Sequence, residues 1–297
     1  MIKTVVISGG DLTFLSMLGA LTTLVNEKFI DLSKIENFYC VSCGCWIGLF
    51  MQLNIDLSII KKYFIERPWE KLLTMGSASI FNLYSSLGLF NVTIFYEIFK
   101  PLLKMCNLNV NITMKELYEY SKKEFNIYVT KFSDLSLVCF NHINTPDIKV
   151  LDALFMSSTI PILFIPIKYK NNYYIDGGYN CNYPITKCLE KHKDLSEIFG
   201  INTVWDNNSL EESIDENFIS FYIKIIYKLV LHKRIEHDSE VIINTINVPA
   251  EFLTLDRFSY VVNNMDVRMA IIKEGDEVAK KFISSHISSH ISSHAPT

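Results

Sequence analysis

The chain has no surplus of basic charge, no apolar run long enough to cross a bilayer, and no linker rich in glycine, serine or proline. Each absence removes a class of function. Its 28 lysines and arginines are outnumbered by 32 acidic residues, for a net charge of -4, so no basic face is on offer to nucleic acid. The longest apolar segment, Phe218 to Leu231, is too short for a span and carries Lys224 and Lys228. Met1 to Gly10 lacks the long apolar core and small-residue cleavage site of a signal peptide. A soluble, cytoplasmic protein is expected, with any membrane contact peripheral. The seven cysteines are odd in number and fit reduced thiols better than a disulfide framework. Without a linker, residues 1–283 read as one domain. The tail, residues 284–297, belongs to a repeated Ile-Ser-Ser-His and reads as disordered low-complexity sequence.

What is present is a chain able to bury a large core: 297 residues, 49% of them hydrophobic. Thr4 to Ile7 is β-branched and ends at Gly9-Gly10, which predicts a first strand. Leu12 to Asn26 predicts a helix, with Leu15, Leu18, Leu21 and Leu24 on one face. Further helical spacing covers Ile59 to Phe64 and Ile94 to Met105, with a break at Arg67-Pro68. Met75 to Leu89 reads as a loop or loose cap. Thr113 and Glu116 predict a capping box. Strands are expected at Asn126 to Thr130, Ser136 to Phe140 and Val241 to Val248, a short helix at Asp152 to Thr159, and a hairpin turning at Asn171-Asn172. A last amphipathic helix covers Val267 to Ile283. Alternating strands and helices imply an α/β fold in which helices cover both faces of a mostly parallel sheet.

The organising stretch is Phe38 to Gly48. An apolar strand end, Phe38 to Val41, runs into Ser42-Cys43-Gly44, and a helical pattern starts at Trp46. That layout is a nucleophile elbow: the sharp turn lifts the Ser42 hydroxyl clear of its neighbours, and the helix start offers free N–H groups to a developing negative charge. The usual pattern is G-x-S-x-G, and Cys40 stands at its first glycine. Three other stations bear on Ser42. Ser8-Gly9-Gly10-Asp11, between a strand and a helix, is either a plain tight turn or a row of N–H groups aimed at an anion. It lacks the G-x-G-x-x-G spacing and the P-loop lysine of nucleotide sites. Asp176-Gly177-Gly178 is either an ordinary turn or a carboxylate base on a backbone that allows close approach. Ser157-Ser158-Thr159 runs into the apolar wall Ile160 to Phe164 and says nothing alone.

Together these stations resemble the patatin-like phospholipase family. The family's glycine-rich loop aligns on Ser8, Gly9 and Gly10, with Gly19 downstream. Its elbow falls on Cys40 to Gly44, its A-x-x-A/S-S-x-x-I-P segment on Ala153 to Phe164, and its D-G-G/A block with N-x-P on Asp176 to Gly178 and Asn182 to Pro184. The resemblance implies a three-layer α/β/α fold and a Ser–Asp dyad without histidine. Ser42 would attack an acyl ester of phospholipid at a transient membrane surface, and Asp176 would take its proton. Backbone N–H groups of Gly9, Gly10 and Asp11 would hold the oxyanion. Cys43, Gly44, Gly177 and Gly178 would support elbow and dyad, with no metal and no cofactor. A free aspartate, pKa about 3.9, is a weak base, so the dyad needs an apolar, enclosing site.

The chain departs from the family at the loop, where Asp11, Thr13 and Phe14 replace glycine, a basic residue and glycine. Asp tolerates positive φ and can cap the helix that follows, yet a carboxylate beside an oxyanion opposes the chemistry. A silent patatin-like protein that binds lipid or a protein partner is therefore a second reading. A third assigns the elbow to a Ser–Asp–His triad with His232 or His237. A fourth treats Cys40, Cys43 and Cys45 as a thiol or metal site, against which stand the missing second pair at zinc spacing and the packing role of small buried thiols. Phe218 to Arg234 reads as a core helix or, alternatively, as an interfacial one.

Overall fold

The computed structural model describes residues 1–73, 87–205, 221–226, 228 and 244–292, with backbone alone for 287–292. Along the chain it places β1 (Thr4–Ile7), α1 (Phe14–Asn26), β2 (Asn37–Val41), α2 (Gly44–Phe50) and α3 (Leu57–Glu66). Next come β3 (Gly88–Phe90), α4 (Thr93–Met105), α5 (Met114–Ser121), β4 (Glu124–Lys131), β5 (Leu137–Phe140) and α6 (Val150–Ser157). After these follow β6 (Ile162–Phe164), β7 (Lys168–Tyr169), β8 (Asn172–Asp176), α7 (Ile185–Lys191) and β9 (Ile198–Trp205). The last elements are β10 (Thr245–Ala250), α8 (Leu255–Asn263) and α9 (Met265–Ser292).

The main sheet runs β10-β9-β1-β2-β4-β8-β7, with β5 also paired to β4. The five strands from β10 to β4 are parallel, and β5, β8 and β7 join antiparallel. A separate parallel pair is made by β3 and β6. Strand alternation sorts the side chains into two cores. Val5, Ile7, Phe38 and Cys40 face the large one, with α1, α2, α4 and α6. Val6, Tyr39, Val41 and Tyr128 face the other, against Ile185 and Cys188 of α7. The result is the three-layer, mostly parallel α/β architecture expected from the alternation of strands and helices.

The helix α1 is buried on every side from Phe14 to Leu24, because the sheet lies under it and α9 over it. Two glycines let the helices meet backbone to backbone. A Cβ on Gly19 would sit 2.0 Å from the Ile272 carbonyl oxygen, and one on Gly275 1.8 Å from that of Ser16. An ion pair from Lys61 of α3 to Asp276 at 3.0 Å, with Thr23 also donating to Asp276, fixes the same seam. Arg268 is buried and spends its guanidinium on the carbonyls of Ile65, Arg67, Val261 and Val262, which satisfies the open ends of α3 and α8.

Several expectations shift in detail. The capping box at Thr113 and Glu116 is present in full. The hairpin turns one residue early, at Lys170-Asn171, both with positive φ as a tight primed turn requires. The late strand starts at Thr245, and residues 241–243 lie outside the described residues. The last helix continues past Ile283 to Ser292, since a four-residue repeat stays close to the helical period. His232, His237, nearly all of the loop at 75–89 and most of the segment 218–234 also lie outside the described residues. Among the described residues no helix is long and apolar enough to cross a membrane.

Candidate active site

Ser42 stands in the turn between β2 and α2 with φ of 52°. A serine held there costs roughly 1–3 kcal/mol, and only a surrounding structure that fixes it tolerates the strain. Three contacts fix it. The Ser42 N–H donates to Ser157 Oγ at 2.9 Å, and that hydroxyl donates onward to the Tyr128 carbonyl at 2.7 Å. Gly44 lies so near β1 that a Cβ would meet the Ser8 carbonyl oxygen at 2.4 Å. Cys40, at the elbow's usual glycine, points into the large core, where a Cβ on Gly48 would come within 2.8 Å of its sulfur. The missing Cβ at Gly48 thus leaves the room that the Cys40 side chain occupies.

Asp176 closes β8, in register with Val129 of β4. Its Oδ2 accepts the Ser42 hydroxyl at 2.5 Å, and its Oδ1 accepts the Gly178 N–H at 2.7 Å. Both side chains are buried, at 4% and 6% exposure. Direct contact leaves no space for an imidazole between hydroxyl and carboxylate, which speaks against the triad reading. Gly177 is required by geometry, since a Cβ there would lie 2.3 Å from the Tyr128 carbonyl oxygen.

The loop Ser8 to Asp11 crosses directly beside the dyad: a Cβ on Gly9 would meet Ser42 Cβ at 2.9 Å. Its three residues differ in what their N–H groups do. The Gly9 N–H is already taken by the Asn182 carbonyl at 3.1 Å, so in this conformation it is not the open donor expected of it. The Gly10 N–H meets the Cys43 sulfur. Asp11 holds φ of 49°, the left-handed geometry that a glycine would otherwise supply.

A buried network aims this loop. The Gly9 carbonyl accepts from Thr203 Oγ1 at 2.6 Å and from Asn182 Nδ2 at 3.1 Å. The Ser8 hydroxyl accepts the Thr203 N–H at 2.8 Å and lies 3.0 Å from Thr203 Oγ1. Because Gly9 C=O and Gly10 N–H belong to one planar trans peptide, anchoring the first points the second the opposite way. The sequence patterns give no role to Thr203, Asn182 or Ser157. Asn182 and Ser157 lie inside motif stretches, whereas Thr203 sits on a strand that no pattern announced.

Burial dominates the electrostatics. It pushes the Cys43 thiol well above its usual range, with the Asp11 and Asp176 charges adding to the effect, and it does the same to Cys40 and Cys45. All three are neutral, separate thiols, unlike the thiolates that redox or metal chemistry uses. Among the described residues no three His, Cys, Asp or Glu side chains converge as a metal site. The same burial, aided by Asp176 and Asp11, raises the Tyr179 hydroxyl. An apolar cavity of about 80 Å³ opens one helical turn beyond Ser42, walled by Leu12, Phe14, Trp46, Phe95, Phe164 and Phe258 among others. Trp46 is held at its rim by a bond from Nε1 to Ser158 Oγ at 3.2 Å.

The comparisons with known proteins bear on this site. The family model "Patatin-like phospholipase" matches residues 5–189, a stretch that contains the elbow, the loop and Asp176. The protein named "Probable lipid hydrolase 463L" of Invertebrate iridescent virus 6 is 30% identical over 197 residues, which are 64% of each chain. "Uncharacterized protein R571" of Acanthamoeba polyphaga mimivirus is 24% identical over 200 residues, 67% of this chain and 65% of that one. The chain thus matches just under two thirds of the length of these relatives. Among solved structures, VipD from Legionella pneumophila shares the fold at a TM-score of 0.50 and 15% identity, covering 92% of this chain and 67% of its own.

Proposed function

We propose, from the premise that this chain belongs to the patatin-like phospholipase family, that it is a lipid acyl hydrolase working through Ser42 and Asp176. The observation that carries the reading is the direct 2.5 Å bond from the Ser42 hydroxyl to the Asp176 carboxylate at a strained elbow. Ser42 Oγ attacks the carbonyl carbon of an ester while Asp176 Oδ2 takes its proton. The oxygen that gains charge is met by the Gly10 N–H, which neighbours the neutral Cys43 thiol, a weak acceptor easily displaced. Collapse of the tetrahedral species expels the alcohol with the proton held on Asp176 and leaves the acyl group on Ser42. Water then attacks the acyl carbon while Asp176 accepts its proton, and collapse returns that proton to Ser42 Oγ as the acyl–Oγ bond breaks and the fatty acid leaves. The apolar cavity beside Trp46 accommodates acyl chain. The steps call on no metal or cofactor.

Phospholipid is the substrate class this reading favours, met at a membrane by transient, peripheral contact. A silent lipid-binding protein is the second reading, favoured by the carboxylate of Asp11 in the loop that would face the oxyanion. Fatty-acid release from mixed phospholipid micelles, with calcium chelated, separates the two. Release by the wild type that Ser42→Ala and Asp176→Ala each abolish is the expected result. Lipid binding without release in all three chains overturns the hydrolase and supports the second reading.

A further inference from the structure

Two hairpin tips project past the carboxyl edge of the parallel strands, the edge that carries Ser42 and Asp176. One joins β4 to β5 and contains Phe132 and Leu135. The other joins β7 to β8 and contains Lys170 and Asn171. They are tied together: the Phe132 N–H donates to the Tyr173 carbonyl at 2.9 Å, extending the β4–β8 register to place Phe132 opposite Tyr173. On its other side Tyr173 faces Lys168, so Phe132, Tyr173 and Lys168 form one row across the sheet. The Leu135 carbonyl accepts from Asn180 Nδ2, in the loop that follows Asp176.

These tips are apolar where a soluble surface is usually polar. Phe132 is 61% exposed, Leu135 58% and Tyr173 41%. Leu135 is exposed although it also holds φ of 55°, a conformation that Asn or Asp would adopt more readily. The charges beside them that remain after local pairing are of one sign. Asp134 is neutralised by Lys131 at 2.9 Å. That leaves Lys168, with its ammonium 4.9 Å over the Tyr173 ring, and Lys170, 5.2 Å over Tyr169. Exposed Phe and Leu flanked by Tyr and Lys is the composition of a surface seated in the headgroup region of an anionic bilayer, with apolar tips inserted and ammonium groups at the phosphates.

We infer that these two tips form the docking surface for an anionic phospholipid bilayer. The inference rests on the lipid hydrolase reading for its purpose, though not for its test. Tyr173 lies three residues along β8 from Asp176, about 10 Å, the depth to which apolar groups sink into the interface. Docking there brings the dyad to the membrane face.

The test is flotation of the Ser42→Ala chain, in which lipid turnover cannot alter the vesicles, with phosphatidylcholine vesicles made with and without phosphatidylserine. Binding should require phosphatidylserine. It should fall at least about tenfold in Lys168→Glu/Lys170→Glu and comparably in Phe132→Asp/Leu135→Asp, with melting temperatures unchanged. Two variants at exposed tips guard against one that fails to fold. Equal binding to both vesicle types, undiminished binding by both variants, or no binding by the parent chain overturns the inference, and the last result points to a protein partner for the tips. Loss of binding in the variants beside a wild type that releases no fatty acid would refute the hydrolase and leave the docking surface standing.

Discussion

Replacing Thr203 by valine removes one oxygen and almost no volume, from a residue only 4% exposed. The Gly9 carbonyl loses its 2.6 Å donor and keeps the weaker one from Asn182 at 3.1 Å. The Ser8 hydroxyl keeps the N–H it accepts at 2.8 Å but loses the oxygen 3.0 Å away that takes its own proton. One lost bond and one orphaned buried hydroxyl cost about 2 kcal/mol of stability. On the proposed mechanism, the catalytic effect follows from the planar peptide. With one of two anchors gone, Gly10 N–H wanders from the position of the developing charge. A whole oxyanion donor is worth roughly 100- to 1,000-fold in kcat, so partial loss of aim should cost about tenfold. KM should barely move, because the ester carbonyl before attack bears little charge. Urea unfolding together with kcat and KM on a soluble short-chain ester measures both effects, and Thr203→Ser should restore most of each. A valine variant that loses stability yet keeps full kcat, or a serine variant that rescues nothing, would refute the aiming role.

Two further outcomes follow from the packing. Gly19→Ala thrusts a methyl group against the Ile272 carbonyl oxygen, where backbone rather than a flexible side chain must yield. The loss in denaturant unfolding should be at least about 1–3 kcal/mol, and an unchanged midpoint would contradict the close α1–α9 contact. His192 is half-buried against the Tyr39 hydroxyl at 3.1 Å, and burial holds its pKa below 6.5. The unfolded chain therefore takes up a proton first as pH falls, so stability contributed above about 6.5 is lost as pH drops through the lowered native value. His192→Asn should flatten the dependence of the urea midpoint between about pH 7 and 5; an identical slope in the variant would remove His192 as its source.

Local chemistry made the first half of the chain legible. β1, the elbow, α1 and the capping box all announce themselves in short windows, through β-branched runs, a strand-turn-helix change of period, and Thr113 with Glu116 at the right spacing. Asp176 and Ser42 could be paired only through the order of several modest motifs, since 134 residues separate them and no spacing rule reaches that far. β9 escaped notice because Gly200 and Asn202 interrupt its β pattern. Gly200 nevertheless has a packing reason, for a Cβ there would lie 2.0 Å from the Tyr183 hydroxyl, which would have to shift. The tail went the other way: its bias in composition suggested disorder, yet its four-residue period also suits a helix.

That hidden strand matters more than its weak signal suggests. The family resemblance ends near residue 190 and carries the elbow, the loop and the carboxylate, but not what holds the loop in place. Thr203 of β9 anchors the Gly9 peptide, and β9 pairs with β1, whose end feeds the same loop. α9 then closes over α1, which follows that loop, through Gly19 and Gly275. The proposed reactive pair thus lies in one part of the chain, and the parts that set its geometry lie in another. Since about 1 Å of misplacement in an active site costs roughly 100-fold, the residues that aim the loop would be as much a part of the proposed chemistry as the Ser42 hydroxyl.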